Sequence, residues 1–379
     1  MNSILVIGAG REGKGNLGNV FRAANWNVAF LDKDKAVINA LNSGEYIVEE
    51  YRVDGTYSVC VSGYSAFECD ETRSCTEAAL HADVIAICLY PEDIADAIDY
   101  ITPCLLYRAS ENPSQKLTIF PCTNENRMIS KIDTKLRQCI GKEALDWYEA
   151  NVALRDTIVR RPVMAESSSA LTLKAGVYCT MFIGTPIYAD ISGVPWLELC
   201  NEDIEKLKEI KVYTVNAAHV TCAFMGYRKG FPTIEEARLN EEIAVVRHGV
   251  LDEAIRALAK EYDISEEKLW EFAELPEPKE AFGDSVERVA FDPIRKLSHR
   301  DRLTGNILLC KKHGIDPAYL ITAAAYGMAY DNPNDPAVER IQRLINEKGI
   351  KEAISEVTGL ALENIFTQRI AEAWSLIRR

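Results

Sequence analysis

The sequence predicts an α/β fold in which a doubly wound, mostly parallel sheet is followed by an all-helical C-terminal domain. Three observations predict it. Apolar, β-prone runs alternate with helical stretches through the first half of the chain; a glycine-rich turn joins the first run to the first helix; and beyond about Asn201 the pattern is helical throughout.

The first run, Ser3 to Val6 with Ile7, ends in glycines and leads into an amphipathic stretch containing Leu17, Val20 and Phe21, then into the run Val28 to Leu31. That order reads as strand, tight turn, helix, strand. Asp83 to Tyr90 and Lys116 to Phe120 continue the alternation, separated by helical stretches such as Pro91 to Tyr100. Between Val48 and Glu68, β-branched and aromatic residues alternate around the Asp54-Gly55 turn signal, which predicts a hairpin or irregular insertion decorating the first domain. Leu154 to Val163 and Leu171 to Ile183 are again β-like, and either extend the sheet or build a wall beside it. From Asn201 onward Glu, Lys, Leu, Ile and Ala recur at helical spacing with Pro, Gly and Asp-Pro punctuation; Thr233 to Tyr262 and Pro336 to Lys348 are predicted helices. The domain boundary is placed between residues 199 and 200.

A chain of 379 residues exceeds what one hydrophobic core usually supports, in keeping with two domains. Its formal net charge of -14 excludes a general nucleic-acid or anionic-membrane binder, because the long-range field repels phosphate polymers. A small anionic substrate is compatible with that charge where a few Arg and Lys converge. Eleven cysteines, an odd count with no C-x-x-C pair, indicate neither a disulfide framework nor a zinc ribbon, and reduced thiols point to the cytoplasm. The N-terminus runs directly into an apolar strand without the basic region of a signal peptide, and no stretch reaches the ~18 apolar residues of a membrane span. Five histidines without an H-E-x-x-H or Cys/His cluster disfavour a metal.

The segment GAGREGKGNLG places Gly8, Gly10 and Gly13 in G-x-G-x-x-G spacing where the first strand hands over to the first helix. The first glycine permits the tight turn, the second lets backbone approach a pyrophosphate, and the third lets helix and strand pack closely. The helix N-terminus adds unpaired N–H groups for the phosphates. The hexapeptide alone is a weak signal, and a structural glycine turn competes with it. Asp32, at the end of the second strand, strengthens the pattern: a carboxylate there accepts from ribose hydroxyls and repels a 2'-phosphate. The frame is Rossmann-like, residues 1–199 form a dinucleotide-binding domain, and NAD is favoured over NADP, although Lys33 and Lys35 lie close by.

A second constellation lies in KVYTVNAAH, where Lys211, Asn216 and His219 project within an arc of about 140° at about 100° per residue. One helix face can present all three to a substrate. Each has a structural reading as well: a solvated amine, a buried amide and a core imidazole.

With these blocks in view, the chain resembles the polyol-specific long-chain dehydrogenases. The resemblance rests on GAGREGKGNLG with Asp32, the Glu125-Asn126 pair after an apolar strand, KVYTVNAAH, DSVERVAFDPIRKLSHRDRL from Asp284 to Leu303, and a final block from Asp335-Pro336 through Gly359-Leu360. The length suits the family's shorter, phosphate-ester branch. The resemblance implies an NAD-dependent dehydrogenase interconverting a sugar-alcohol phosphate and a keto-sugar phosphate, mannitol 1-phosphate and fructose 6-phosphate or a close relative. It implies Lys211 as a metal-free general base, with Asn126, Asn216 and His219 holding the reacting oxygen and its neighbour. Residues 200–379 then form the substrate and catalytic domain, and the lean is towards a monomer.

The chemistry needs such residues. Oxidising a secondary alcohol requires a base for the hydroxyl proton as hydride leaves. A lysine begins near ~10.4 and serves best near ~7–8, so burial or a neighbouring cation has to depress it. The oxygen gains negative charge in the transition state, and losing one amide donor to it costs about 2.7–4 kcal/mol of barrier. Arg295 and Lys296, inside the RKLS segment and near Arg300 and Arg302, are candidates for a substrate phosphate, with a salt-bridged helix end as the alternative.

The resemblance departs at one place. The family carries an Asp-Arg pair within V-D-R, and the corresponding stretch here is Val159-Arg160-Arg161. Arg160 either reads an added negative charge on the substrate or marks the loss of a structural ion pair. Two other readings stay open: the same chemistry on a sugar acid or free polyol, and a noncatalytic NAD-binding sensor.

Overall fold

A computed structural model describes residues 1–125, 127–177 and 180–378 of the chain. The main sheet has six strands: β1 (Ser3–Ile7), β2 (Asn27–Asp32), β3 (Ser65–Glu68), β4 (Val84–Ile87), β5 (Leu117–Pro121) and β6 (Val152–Leu154). Their spatial order is β3-β2-β1-β4-β5-β6, and every neighbouring pair is parallel. The expected doubly wound sheet is present.

Alternation along the strands feeds two cores. Ile4, Val6, Phe30, Val84 and Phe120 join one apolar cluster, while Leu5, Ile7, Leu31, Ile85 and Ile119 join another. Strands covered on both faces show no polar alternation, which is why β1, β4 and β5 read as continuous apolar runs. Strand order reverses between β1 and β4, and the carboxyl ends there form the crevice where open α/β sheets receive ligands.

The hairpin begins and ends earlier than its sequence signal, whose last residues, Ser65–Glu68, form β3 of the main sheet. Glu45–Tyr51 pairs antiparallel with Thr56–Ser62 about the Asp54-Gly55 turn, where Gly55 has φ +155°. Thr172–Ala175 and Val163–Met164 complete this four-stranded sheet. Thr157–Ile158, Met181–Gly184 and Leu197–Cys200 make a third. Of the two alternatives for Leu154 to Val163 and Leu171 to Ile183, the second holds: their strands build beside the main sheet, and β6 meets the first stretch only at Leu154. The helix expected from Pro91 begins as a short 3-10 turn and then runs Ile94–Glu111.

The chain divides into two compact units, Met1–Lys208 with Pro276–Glu280, and Glu209–Leu275 with Ala281–Arg379. The described part of the second unit is helical, and its sequence supplies the caps. The stretch expected as one helix from Thr233 to Tyr262 is two, Ile234–Arg238 and Glu241–Tyr262. Asn240 separates them because its side chain accepts from Ile243 N–H, a capping bond that interrupts helix more readily than it joins one. Pro336–Lys348 stands as expected, with Asp335 accepting from Ala337 N–H at 3.0 Å and Pro336 in the first turn. Ala318–Ala329 packs against Glu241–Tyr262 and Ile365–Ile377, its small residues Ala323, Ala324 and Ala325 fully buried. The buried Glu253 carboxylate accepts the Tyr319 and Leu320 N–H groups at 2.8 and 2.9 Å and so caps that helix from its neighbour. No helix among the described residues is long and apolar enough to cross a membrane.

Candidate functional site

In the first unit, β1 passes through Gly8 into a helix that runs from Arg11 to Ala23, its middle, Gly13–Gly18, wound as a π turn. The three glycines of the motif differ in what demands them. Gly8 has φ +98°, and a Cβ on it would strike the Cys88 carbonyl. A Cβ on Gly13 would strike the Gly8 carbonyl. Gly10 has an ordinary φ, and a Cβ there would meet no protein atom within 4 Å. Nothing inside the fold requires glycine at position 10. Open space over that backbone is what a closely approaching pyrophosphate needs.

Asp32 stands at the end of β2, half-buried, with Oδ2 accepting from Ala9 N–H at 2.7 Å and Oδ1 from Asp34 N–H at 2.9 Å. Two bonds leave lone pairs on both oxygens for hydroxyl donors. The lysines beside it are engaged elsewhere: Lys33 with Asp93 at 2.5 Å and Lys35 with Glu68 at 3.1 Å. Neither stands as a bare cation awaiting a 2'-phosphate.

Behind the loop lies a polar cluster that the sequence reading missed. Lys14 is fully buried and donates to the Ser168 and Ala170 carbonyls at 2.7 and 2.8 Å; burial pushes its ammonium down to about 8, against the pull of Asp32. Glu50, also buried, accepts from Asn19 at 2.6 Å and pairs with Arg161 at 3.3 Å. Arg161 further donates to the Gly15 and Gly176 carbonyls, each at 3.0 Å. The second arginine of Val159-Arg160-Arg161 therefore braces the glycine loop, while Arg160 is half-buried one residue earlier. No signal in the sequence set Lys14 and Asn19 apart, because Arg11, Glu12 and Asn16 make the whole segment polar.

Asn126 lies outside the described residues, but both flanking residues are held. Lys208 Nζ reaches the Glu125 carbonyl at 3.3 Å and Asp156 at 2.6 Å, and Glu205 accepts from Arg127 N–H at 3.0 Å. Glu205 and Lys208 stand three apart on helix Ile204–Lys211, which puts them on one face. Arg127 takes a left-handed conformation, φ 63°, at the entry to helix Met128–Ile140.

In the second unit, Lys211 ends helix Ile204–Lys211, a π turn spans Val212–Asn216, and Ala217–Lys229 continues as α-helix. Lys211, Asn216 and His219 are each half-buried. The π turn amends the arc expected from regular α-helix, because i to i+5 bonding brings Lys211 and Asn216 nearer to alignment along the axis. Such turns recur at functional sites. His219 Nε2 lies 3.2 Å from Asp284 Oδ2, and Arg288 grips Asp284 through two bonds of 2.6 Å. Burial raises the Asp284 carboxyl, but bonds from His219 and Arg288 outweigh it and hold the group below the usual range. An ionised carboxylate only accepts, so Nε2 donates a proton to Asp284. Asp284 begins the block already singled out, yet nothing in its spacing announces the pairing.

Arg295 and Lys296 sit on the short helix Pro293–Leu297. Arg295 is exposed and lies 3.4 Å from Asp292 and 3.9 Å from Asp301. Lys296 is buried with its ammonium on the Phe291 carbonyl, and burial, then Arg295 and Arg302, push it down to about 7. Arg302 pairs with Asp301 at 2.7 Å. No group of three or more His, Cys, Asp or Glu among the described residues is placed to hold a metal ion.

Residues 2–190 match the model of the mannitol dehydrogenase Rossmann domain, and residues 203–378 that of the mannitol dehydrogenase C-terminal domain. The mannitol-1-phosphate 5-dehydrogenase of Brevibacillus brevis is 26% identical over 361 residues, covering 93% of this chain and 92% of that protein. Its namesake from Caldanaerobacter subterraneus subsp. tengcongensis is 27% identical over 389 residues, covering 99% and 98%. Among solved structures, the Pseudomonas fluorescens mannitol 2-dehydrogenase, a ternary complex with NAD and D-mannitol, superposes with a TM-score of 0.73 at 14% identity, over 100% of this chain and 92% of that one. A substrate-free D-sorbitol dehydrogenase gives 0.76 at 13% identity, over 100% and 93%.

Proposed function

The chain belongs to the mannitol dehydrogenase family, and from that premise we propose that it interconverts a sugar-alcohol phosphate and a keto-sugar phosphate, with lysine as general base and without metal. The coarser statement, an NAD-dependent polyol dehydrogenase, comes with the family. Mannitol 1-phosphate and fructose 6-phosphate, or close relatives, are the proposed pair, in line with the names of the two relatives at 26% and 27% identity. The single observation that carries the mechanism is the sequence Lys211, π turn, Asn216, His219, with His219 oriented by Asp284.

In this reading residues 1–199 hold the dinucleotide and residues 200–379 carry the reaction. Gly8 and Gly13 shape the turn, Gly10 leaves room for the pyrophosphate, and Asp32 receives the ribose hydroxyls. NAD, when bound, supplies the hydride acceptor. Lys211 takes the hydroxyl proton, Asn126 and Asn216 donate to the oxygen as negative charge develops, and His219 accepts from a neighbouring hydroxyl. Arg160, Arg295 and Lys296 are the proposed contacts for the substrate's anionic group. The ten described cysteines are free thiols, which suits the proposed cytoplasmic location; in this reading the enzyme acts on small molecules as a monomer.

A second reading keeps the chemistry and changes the substrate to a sugar acid or a free polyol. Arg160 in place of an acidic residue favours an anionic substrate, so the sugar acid is its stronger form. The test is a panel of mannitol 1-phosphate, free mannitol and sugar acids, following NADH absorbance with wild type and Lys211→Ala. Preference for the phosphate ester, and a loss of about 10²–10⁴-fold in turnover for the variant, are expected. Turnover unchanged by Lys211→Ala overturns the mechanism; preference for the uncharged polyol overturns the substrate.

A further inference from the structure

Two cysteines stand side by side where β4 and β5 end. Ile87 of β4 is in register with Pro121 of β5. Cys122 N–H then donates to the Ile87 carbonyl at 2.8 Å and Cys88 N–H to the Ile7 carbonyl at 2.7 Å, so Cys88 and Cys122 form the next rung of the parallel ladder. Residues opposite each other in register point to the same face. Both side chains are half-buried against the cluster that contains Val6 and Phe120. We propose that Cys88 and Cys122 are a dithiol site at the nucleotide edge of the sheet, which closes to a disulfide under a hydroperoxide oxidant and thereby weakens dinucleotide binding. This rests on the reading of the Gly8–Gly13 loop as the dinucleotide site.

The two thiols are not equivalent. A hydrogen bond to Cys122, then burial, pushes the Cys88 thiol well above its ordinary value, so Cys88 keeps its proton and directs it at the Cys122 sulfur. Cys122 is therefore the attacking sulfur. Its thiolate attacks one peroxide oxygen, the O–O bond breaks, and the departing hydroxide leaves as water with the thiol proton. The Cys88 sulfur next attacks the sulfenic sulfur, the S–O bond breaks, the S–S bond forms, and a second water leaves with the Cys88 proton. Two thiols and one hydrogen peroxide give one disulfide and two waters.

Adjacent strands lie about 4.7–4.9 Å apart, inside the Cα range that a disulfide spans. A disulfide prefers Cβ atoms near ~3.8 Å, so bridging draws the two strand ends together. The Cys88 carbonyl lies where a Gly8 Cβ would go, and Cys122 opens the segment to Glu125 that Lys208 grips. Closing the pair moves the walls on which the proposed pyrophosphate and the Glu125 carbonyl depend. A second thiol pair, Cys75 and Cys104, is 0% and 1% exposed and offers no path for an oxidant.

The full-length protein is treated with hydrogen peroxide, alkylated, digested and mapped by mass spectrometry, and NADH binding is titrated by fluorescence before and after. A Cys88–Cys122 linked peptide is expected, with NADH affinity weakened about tenfold and restored by dithiothreitol. Cys88→Ser and Cys122→Ser are expected to bind NADH as the reduced wild type does and to lose the response to peroxide. Absence of the linked peptide from oxidised wild type overturns the site, and a linked peptide with unchanged NADH affinity overturns its effect. Failure of reduced wild type to bind NADH would count against the loop reading instead, while the peptide map still decides the disulfide.

Discussion

Lys208 and Asp156 form an ion pair at 2.6 Å whose side chains are only 1% and 10% exposed. Asp156 Oδ1 also accepts from Thr157 N–H at 2.9 Å, and the ammonium extends to the Glu125 carbonyl. One helix is thereby tied to two loops of the sheet domain. Asp156→Ala leaves a buried cation without its carboxylate and is expected to cost about 3–5 kcal/mol, read as a lowered urea midpoint. The double variant Asp156→Leu with Lys208→Met is expected to recover much of that loss, since neither charge then remains. A double variant as unstable as the single one would show that packing, not the unpaired charge, sets the cost.

The glycine motif separates folding from binding. Gly10→Ala is expected to fold with an unchanged midpoint and to bind NADH at least about tenfold more weakly, because its Cβ enters only open space. Gly8→Ala adds a side chain at φ +98° against the Cys88 carbonyl and is expected to lower thermal stability first. Calorimetry and an NADH titration on both variants check this. Equal loss of stability in the two would remove the argument that position 10 is kept open for a ligand.

Asp32 is expected to govern the choice of nucleotide. Asp32→Ser removes the charge that repels a 2'-phosphate but retains an acceptor, so the ratio of NADPH to NADH affinity is expected to rise by about tenfold or more. Lys33 and Lys35 remain paired with Asp93 and Glu68, which limits the gain. A ratio left unmoved would mean that Asp32 serves only to hold the Ala9 N–H.

The Asp284 pair predicts a pH dependence. Its carboxyl is held below the usual value of 3.8 in the folded chain, because bonds from His219 and Arg288 outweigh burial. A depressed acid stabilises the fold above its unfolded value and loses that contribution as pH falls through the folded one. Wild type is therefore expected to lose stability more steeply than Asp284→Asn below about pH 4. Parallel acid-unfolding curves for the two proteins would contradict the pairing. The same variant, with His219 no longer fixed in one tautomer, is expected to shift the pH profile of turnover.

Much of this protein is legible along the chain. The parallel sheet shows in β1, β4 and β5, because strands buried on both faces carry near-continuous apolar runs, broken here by the buried Thr118. The loop shows because only glycine satisfies Gly8 and Gly13, and a helix start shows where Asp335-Pro336 caps it, whereas the break at Asn240 does not. The lysine, asparagine and histidine of KVYTVNAAH show because they recur at helical spacing, although the π turn between them does not.

What the sequence by itself determined is thus the local and periodic part: the α/β order, the glycine turn with Asp32, and the helix bearing Lys211, Asn216 and His219. Only the tertiary structure decided the partners of charged groups. Asp284 on His219, Asp156 on Lys208, Arg161 on Glu50, and Lys296 turned inward onto the Phe291 carbonyl join residues distant in sequence or change exposure without leaving a periodic trace. The physical reason is that periodicity records which side of an element meets apolar surroundings, whereas a buried charge is placed by whichever neighbour folding brings within hydrogen-bond reach.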